Sequence, residues 1–207
     1  MRPLVSLPRF YPILDAACFP STELLLRAAA ELQQAGVQLI QYRNKKGTAR
    51  LILEDASKLK ALLGGDVRLI MNDRADLCLA ANFDGVHVGQ EDLSPEGARR
   101  VIGPNLWLGV STHNPQQLRG ADASPADYVA IGPVFATSSK ERPDPVIGLE
   151  GVRQARQLTR KPLVAIGGIT RGNALEVIGA GADAVAVISD LLPDPGKSAE
   201  EFLRILG

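Results

Sequence analysis

The sequence lacks an excess of either charge and has no long apolar segment. Lys and Arg together number 23, as do Asp and Glu, so the formal net charge is zero. This balance gives no indication of the broad basic surface with which proteins bind nucleic acid or anionic membranes. No segment approaches the roughly 20 apolar residues of a membrane span, and the N-terminus has no apolar run typical of a signal peptide. We therefore expect a cytoplasmic protein that binds neither nucleic acid nor membrane.

Cysteine, histidine and several catalytic motifs are also scarce. The two cysteines, Cys18 and Cys78, lie in apolar company, which predicts buried thiols in a reducing compartment rather than a disulfide framework. There is no Cys/His metal-ligand spacing, no nucleophile elbow and no GxGxxG motif. His87 and His113 have no partner that the sequence identifies, and we interpret them as core or loop residues. Chemistry by a protein nucleophile is not expected.

What the sequence does contain is a regular alternation of short apolar runs and helix-periodic segments. The predicted strands span residues 9–14, 39–43, 68–72, 85–89, 106–111, 127–132, 162–167 and 184–189. Helical periodicity follows each of them. Strand and helix units that repeat in this way predict parallel strands joined by helices, and this number of units predicts a (β/α)8 TIM barrel. We expect one domain over residues 1–207, in which residues 1–8 form a short N-terminal extension.

Polar side chains collect just after the predicted strands, whereas ordinary turn residues precede them. In such a barrel the loops that leave the carboxyl ends of the strands converge on one mouth, where active sites lie. The position of these side chains therefore predicts a functional site at that mouth. The residues are Gln41 to Lys45, Asn72, Asp73, Gln90 to Asp92, Ser111 to His113, Thr137 to Lys140, Gly167, Gly168, Ile188 and Ser189.

Asp73 and Asp92 follow neighbouring strands at the same point of their course. Adjacent strands lie about 4.8 Å apart, so the two carboxylates can converge on one cation. Two carboxylates with open positions suit Mg²⁺, which takes its other oxygens from water and phosphate. The alternative is that Asp73 caps the following helix and Asp92 is a turn residue. Glu91 is a candidate substitute ligand.

Three cations are predicted at the same mouth. Gln41 and Arg43 share one face of their strand, Lys45 lies just beyond it, and Lys140 follows another strand. Positive groups beside a metal suit a pyrophosphate. The alternative is that Lys45 is a solvated loop lysine and Arg43 an isolated charge at the strand end, although such an Arg needs an anionic partner.

The other side of the mouth suits a monophosphate. Gly167 and Gly168 follow a strand and precede Thr170, which we expect to cap a helix near Arg171, so backbone N–H groups can face an anion. Ser189 ends the neighbouring strand, and phosphate sites in barrels often follow the seventh and eighth strands. A plain tight turn is the alternative.

Seven stretches together carry a family resemblance. In order they are QYRNK, MNDRADLCLA, DGVHVGQED, LGVSTHN, DYVAIGPVFATSSK, VAIGGIT and GADAVAVIS. On these motifs the chain resembles the thiamine-phosphate synthases. The resemblance implies a transferase of thiamine biosynthesis that joins hydroxymethylpyrimidine pyrophosphate to hydroxyethylthiazole phosphate with Mg²⁺ and releases pyrophosphate by a dissociative course.

The resemblance also implies residue roles. Asp73 and Asp92 would bind Mg²⁺, and Arg43, Lys45, Ser111 and Lys140 would be catalytic. Two departures are visible, because Asn44 stands where many members have an acid and Ser139 where Thr is common. The pyrimidine substrate would contact Gln41, Tyr42, Arg43, Asn44, Lys45, Asn72, Ser111 and Lys140, and the thiazole phosphate Thr137, Ser138, Ser139, Gly168, Ile188 and Ser189.

Two other functions remain open at this point. A thiazole phosphate tautomerase of the same fold would need neither pyrophosphate nor metal, and so has no use for the two aspartates. The presence of Arg43, Lys45, Lys140 and both aspartates speaks against a non-catalytic barrel that binds a phosphate ligand. The segment 138–148 is either a lid or an ordinary surface loop. The sequence leaves open whether the chain forms a homo-oligomer.

Overall fold

Eight parallel strands pair in chain order and close into a barrel, in which β8 pairs with β1. The structure is a computed structural model that describes residues 5–137 and 144–207. The predicted (β/α)8 barrel is confirmed, with β2 and β3 at their predicted bounds. The strands are β1 (Phe10–Asp15), β2 (Leu39–Arg43), β3 (Arg68–Asn72), β4 (Gly85–Val88), β5 (Trp107–Thr112), β6 (Tyr128–Ile131), β7 (Leu163–Ile166) and β8 (Ala184–Val187). The helices are α1 (Thr22–Gln34), α2 (Ala49–Leu63), α3 (Ala75–Ala80), α4 (Pro95–Ile102), α5 (Pro115–Ala123), α6 (Gly148–Leu158), α7 (Ala174–Gly179) and α8 (Pro195–Leu206), with short 3₁₀ helices at Ala16–Cys18 and Ser189–Leu191.

The apolar side chains divide into two cores because successive strand residues point to opposite faces of the sheet. The larger core lies between the barrel and its helices and includes Leu14, Leu59 and Phe202. The smaller core fills the barrel interior and includes Tyr11 and Tyr128. The interior is therefore packed with side chains and does not form an open channel.

Capping side chains and glycines mark several helix ends. Ser94 accepts a hydrogen bond from the Gly97 N–H at 3.1 Å, and Asn114 accepts one from the Gln117 N–H at 2.9 Å. Gly103 and Gly181 follow helices with φ of +71° and +113°, a conformation that glycine adopts without a Cβ penalty.

The prediction that both cysteines are buried holds for Cys78 only. Burial raises the pKa of the Cys78 thiol to about 12. Cys18 is exposed, because the 3₁₀ helix Ala16–Cys18 buries none of its residues. Both are free thiols, as expected.

Three aspartates close the end of the barrel opposite the mouth, where the sequence suggested only ordinary turns. Each stands just before an even-numbered strand, accepts the N–H of a residue in the preceding strand, and forms an ion pair with a cation on a helix. The sets are Asp84 with Leu69 N–H and Lys60, Asp127 with Leu108 N–H and Arg99, and Asp183 with Leu163 N–H and Arg156. One carboxylate thus joins two strands and a helix.

We expect Asp127→Asn to lower the free energy of unfolding by about 2 to 3 kcal/mol, because it leaves Arg99 uncompensated in a largely buried pair. The side chains of Arg99 and Asp127 are only 15% and 10% exposed. Asp183→Asn is the matched control, since the Arg156 and Asp183 side chains are 29% and 49% exposed, and it should cost about 1 kcal/mol or less. Urea titration measures both values, and equal losses would contradict the role of burial.

Candidate active site

Asp73 stands at the end of β3 in an unusual backbone conformation. Its φ is +62°, and the Asn72 carbonyl accepts the Arg74 N–H at 2.7 Å, the hydrogen bond of a γ-turn. The Asp73 N–H donates to the His87 carbonyl at 2.8 Å and so ties this turn to β4. Positive φ is costly for a residue with a side chain, and such residues cluster at functional sites.

The carboxylates of Asp73 and Asp92 converge, as the sequence predicted. Asp92 is a hydrogen-bond partner of Asp73, and burial together with Asp92 raises the pKa of Asp73 to about 6. The Lys45 ammonium, whose Nζ lies 3.0 Å from Asp73 Oδ2, opposes this rise in the pKa. The alternative reading of Asp73 as a helix cap is wrong, because α3 begins at Ala75 and its N-cap, Arg74, makes no side-chain cap hydrogen bond. Asp92 is also a turn residue, since it accepts the Gly89 N–H at 2.7 Å.

The raised pKa of Asp73 indicates that its negative charge is destabilised beside the second carboxylate. A bound cation would stabilise both negative charges. In residues 5–137 and 144–207, no three His, Cys, Asp or Glu side chains are grouped so that they could hold a metal. A divalent ion bound by Asp73 and Asp92 would therefore complete its shell with water or phosphate oxygens. Glu91 lies exposed on the loop beside them.

The predicted cations have partners within the chain. Arg43 forms an ion pair with Asp15, the residue opposite it in the pairing of β1 with β2, and both side chains are largely buried. The reading of Arg43 as an isolated charge is therefore wrong, and so is the reading of Lys45 as merely solvated, because it pairs with Asp73. Asp15 was not among the predicted site residues, because no motif links this acid to Arg43, 28 residues further along the chain. Lys140 lies outside the described residues.

Two of the predicted substrate contacts are engaged elsewhere. Tyr42 is 0% exposed, and its hydroxyl donates to Asp55 of α2 at 2.9 Å, outside the barrel. The structure therefore corrects its assignment as a substrate contact, because strand alternation turns its side chain away from the mouth. Asn44 accepts the Gly47 N–H at 2.8 Å and donates to the Tyr42 hydroxyl at 3.2 Å, so it braces the loop.

We expect Tyr42→Phe to leave the Michaelis constants of both substrates unchanged and to lower the free energy of unfolding by about 1 to 2 kcal/mol, because buried Asp55 loses a donor. Asp55 would retain the Thr22 hydroxyl at 2.8 Å. Steady-state kinetics together with urea titration tests this. A large rise in either Michaelis constant would indicate that Tyr42 contacts a substrate.

Gln41 and Ser111 face the barrel interior, where three buried residues that were not predicted to belong to the site connect them by hydrogen bonds. Gln41 contacts Tyr11, Tyr11 contacts Tyr128, and Tyr128 contacts His87, which in turn contacts Ser111. Burial lowers the pKa of His87 to about 4, so the imidazole is neutral at pH 7. Its interpretation as a core histidine is confirmed.

His113 is a loop residue, as expected, and its Nδ1 donates to the Gly132 carbonyl at 2.6 Å. This bond ties the loop after β5 to the end of β6. The side chain of Gln90 joins the loop after β4 to β5 in a similar way, because it donates to the Ser111 carbonyl at 2.6 Å. Neighbouring loops of the mouth are thus connected to one another.

Gly167 and Gly168 pack closely against the segment that follows β6. Their φ values are +99° and +63°. The Phe135 N–H donates to the Gly167 carbonyl at 3.0 Å, and a Cβ on Gly168 would lie 2.5 Å from the Ala136 carbonyl oxygen. Thr137 follows Ala136 in the chain and continues this segment. Glycine is required here both by the positive φ and by the close approach.

The expected helix cap after this turn is corrected. Helix α7 begins at Ala174 and its N-cap is Asn173, not Thr170. Asn173 accepts the Thr170 N–H at 2.8 Å and donates to the Gly168 carbonyl at 3.1 Å, so its side chain holds the Gly-Gly turn and delays the helix. Ile188 and Ser189 start the 3₁₀ helix after β8, beside this turn in the strand order. Ser138 and Ser139 lie outside the described residues, as does part of the segment 138–148.

The family model described as thiamine monophosphate synthase matches residues 10–191. The chain belongs to this family. A thiamine-phosphate synthase of Koribacter versatilis is 60% identical over 205 residues, which cover 98% of this chain and 97% of the relative. One of Chloroflexus aurantiacus is 45% identical over 173 residues, which cover 83% and 80%. The predicted family, and with it a transferase of thiamine biosynthesis, is confirmed.

Solved structures agree with this membership of the thiamine monophosphate synthase family. A thiamine phosphate pyrophosphorylase from Pyrococcus furiosus is similar with a TM-score of 0.83 and 37% identity, over 96% of this chain and 95% of that one. A structure described as native KDPGal has a TM-score of 0.75 at 15% identity, which shows the shared fold alone. No helix in the described part of the chain is long and apolar enough to cross a membrane.

Proposed function

We propose that this thiamine-phosphate synthase joins hydroxymethylpyrimidine pyrophosphate to hydroxyethylthiazole phosphate, with release of pyrophosphate, at the mouth of the barrel. The observation that carries the proposal is the convergence of Asp73, Asp92 and Lys45, in which the pKa of Asp73 is raised to about 6. Two carboxylates held together at a cost in free energy suit a divalent cation that a tautomerase would not need. This observation favours the synthase over the tautomerase, and turnover distinguishes the synthase from a non-catalytic barrel.

The cation we propose is Mg²⁺, held by Asp73 and Asp92. When bound, it would supply positive charge to the pyrophosphate and lower its charge repulsion with the two carboxylates. The donor set fits, because both ligands are oxygens and leave room for phosphate oxygens. Lys45, which pairs with Asp73 in the structure, is then free to turn to the pyrophosphate.

The cations stabilise the departing pyrophosphate. Arg43, Lys45 and Lys140 would neutralise the negative charge that grows as the C–O bond breaks, which lowers the barrier to its dissociation. Asp15 holds Arg43 in place through its ion pair, so that less ordering is required when substrate binds. Gln41, Asn72 and Ser111 would orient the pyrimidine.

The thiazole phosphate is proposed to bind on the other side of the mouth. The Gly-Gly turn after β7 and the backbone at the start of the next 3₁₀ helix can offer N–H groups to a phosphate. Attack by the thiazole nitrogen on the pyrimidine methylene carbon requires no protein nucleophile. The proposed contacts are Thr137, Ser138, Ser139, Gly168, Ile188 and Ser189.

The experiment that tests the proposal mixes the pure protein with both substrates and Mg²⁺ and measures thiamine phosphate and pyrophosphate. We expect both products in equal amounts, and no product in the presence of a chelator until excess Mg²⁺ is added. Binding of both substrates without turnover would indicate a non-catalytic barrel. Isomerisation of a thiazole phosphate tautomer without metal would indicate a tautomerase.

The proposed partners are these small molecules, and we propose a cytoplasmic location for the reaction. The balanced charge, with 23 basic and 23 acidic residues, supports the absence of nucleic-acid and membrane partners. Size-exclusion chromatography with light scattering measures whether the chain forms a homo-oligomer.

A further inference from the structure

A line of buried polar side chains crosses the inside of the barrel and connects two residues of the proposed pyrimidine site. Gln41 Nε2 lies 2.9 Å from the Tyr11 hydroxyl, which lies 3.0 Å from the Tyr128 hydroxyl. The Tyr128 hydroxyl lies 3.2 Å from His87 Nδ1, and His87 Nε2 lies 2.8 Å from Ser111 Oγ. We call these five residues the relay. Its three middle members have no role in the proposed mechanism.

A glycine in β5 leaves space for the relay inside the barrel. Gly109 of β5 lies beside it, and a Cβ at this position would stand 2.2 Å from the Tyr128 ring and 2.4 Å from His87 Nδ1. Real Cβ atoms do not approach other atoms so closely, so the strand carries no side chain where the Tyr128 and His87 rings meet. The Tyr128 hydroxyl and the His87 ring, which are hydrogen-bonded to each other, occupy the space where a side chain of β5 would stand. Apolar side chains could fill the interior without requiring a glycine at this position.

The Gln41 amide gives the relay its direction, because its Nε2 faces the Tyr11 hydroxyl. The reverse direction would need Gln41 Oε1 at that place and the other tautomer of His87. Gln41 Nε2 can only donate, so the Tyr11 hydroxyl accepts and passes its single hydrogen to Tyr128. Tyr128 then donates to His87 Nδ1, which leaves the imidazole hydrogen on Nε2. His87 Nε2–H donates to Ser111 Oγ, and the Ser111 hydroxyl keeps its own hydrogen for another acceptor.

A doubly protonated His87 would not fit this set of contacts. Its Nδ1–H would donate to Tyr128, and Tyr128 would then donate to Tyr11. The Tyr11 hydrogen would be left without an acceptor among the described contacts, because Gln41 Nε2 offers none. An unsatisfied hydroxyl in a buried site is costly.

We propose that Tyr11, Tyr128 and His87 are positioning residues that set the hydrogen-bonding polarity of Gln41 and Ser111, leaving a carbonyl acceptor at the first and a hydroxyl donor at the second for the pyrimidine. The proposal rests on the proposed function. An aminopyrimidine carries both complementary groups, an amino donor and ring-nitrogen acceptors. In a 4-oxo analogue the donor and acceptor of that edge are exchanged, and the relay selects against it.

The first test is the tautomer of His87 in the full chain, with Mg²⁺ and inorganic pyrophosphate present. The protein is labelled with ¹⁵N-histidine, and the His87 resonances are assigned by comparison with His113→Asn. We expect near neutral pH that Nε2 carries the hydrogen and Nδ1 does not. The opposite tautomer, or an imidazolium, would overturn the proposal, since either one reverses or interrupts the relay.

The second test is kinetic. We expect Tyr128→Phe to lower kcat/KM for the aminopyrimidine pyrophosphate by about tenfold or more, to reduce its preference over the 4-oxo analogue by a similar factor, and to leave the KM for the thiazole phosphate unchanged. The ¹⁵N spectrum of this variant should show a mixture of His87 tautomers. Tyr11→Phe is the second variant and should have the same kinetic effect.

Tyr42→Phe is the matched control, because its hydroxyl lies outside the barrel on Asp55. It should change neither the His87 tautomer nor the preference between the two pyrimidines. Changes below about twofold in both relay variants would overturn the positioning role. If the wild type forms thiamine phosphate but the His87 hydrogen is on Nδ1, only the relay proposal is refuted. If the hydrogen is on Nε2 but no product forms, only the proposed function is refuted.

Discussion

Asp73→Asn should abolish most of the activity and at the same time stabilise the metal-free protein. We expect kcat/KM to fall by about 10³-fold, which corresponds to roughly 4 kcal/mol of transition-state stabilisation. The variant keeps the size of the side chain but loses one of the two charges proposed to bind Mg²⁺. The Mg²⁺ concentration that gives half of the maximal rate should increase. Measurement of the rate as a function of Mg²⁺ concentration tests this.

The gain in stability follows from the raised pKa of Asp73. The pKa is about 6 in the folded protein, against about 3.9 in an unfolded chain. The folded state therefore binds the proton more tightly, and stability falls as the pH rises from about 4 to 6. Above this range the full penalty, roughly 2 to 3 kcal/mol, is present in the wild type and absent from the variant. Metal-free Asp73→Asn should thus be more stable at pH 8 and equal to the wild type at pH 4.

The control for this variant is Asp76→Asn, the same change three residues along. Asp76 is exposed, pairs with Arg74, and lies in the first turn of α3, where a negative charge is favourable. It should lose a little stability and keep its activity. Urea titrations in a chelator at both pH values compare the two variants. A destabilised Asp73→Asn at pH 8 would contradict the geometry of the paired carboxylates.

Gly168→Ala should raise the KM for the thiazole phosphate by about 10²-fold and leave that for the pyrimidine pyrophosphate unchanged. A methyl group would meet the Ala136 carbonyl oxygen at 2.5 Å and the Phe135 Cβ at 2.8 Å. It would also force alanine to adopt a φ of +63°, which costs about 1 kcal/mol or more. The displaced segment carries Thr137, so the proposed phosphate contacts on both sides of the turn would be lost.

Gly172→Ala provides the matched control in the same loop. The nearest atom to its added Cβ would be Thr170 Oγ1 at 3.7 Å, an ordinary contact, and its φ lies outside the left-handed range. Both Michaelis constants should therefore remain at their wild-type values. Equal effects of the two substitutions, or a loss of pyrimidine binding in Gly168→Ala, would refute the division of the mouth into two sides. Initial-rate measurements with each substrate varied in turn are sufficient.

Most of the fold was predictable because the signals that specify it are local. The alternation of apolar runs and helical periodicity along the chain requires no knowledge of distant contacts. The caps at Ser94 and Asn114 are also local, since each side chain bonds a backbone group three residues on. Thr170 was mistaken for a cap because Asn173 competes for the same turn, and propensity alone does not rank two such candidates.

The site was predictable only in part, for the same reason. Placing Asp73 and Asp92 together required only that adjacent strands end at the same edge. The partner of Arg43 is 28 residues away, and the hydroxyl groups of Tyr11 and Tyr128 meet across 117 residues of chain. The period of a strand places Gln41 and Arg43 on one face but does not identify which other strand faces them.

The sequence by itself determined the family, the barrel and the collection of polar residues after the strands, because strand and helix periods, caps and motif order are written in neighbouring residues. Only the tertiary structure decided that Asp15 holds Arg43, that Tyr42 turns outward to Asp55, and that five side chains form a line through the interior. These contacts depend on how the barrel closes and on which side chains then share the enclosed space. Closure joins residues that are distant along the chain, and no local pattern encodes the distance between them.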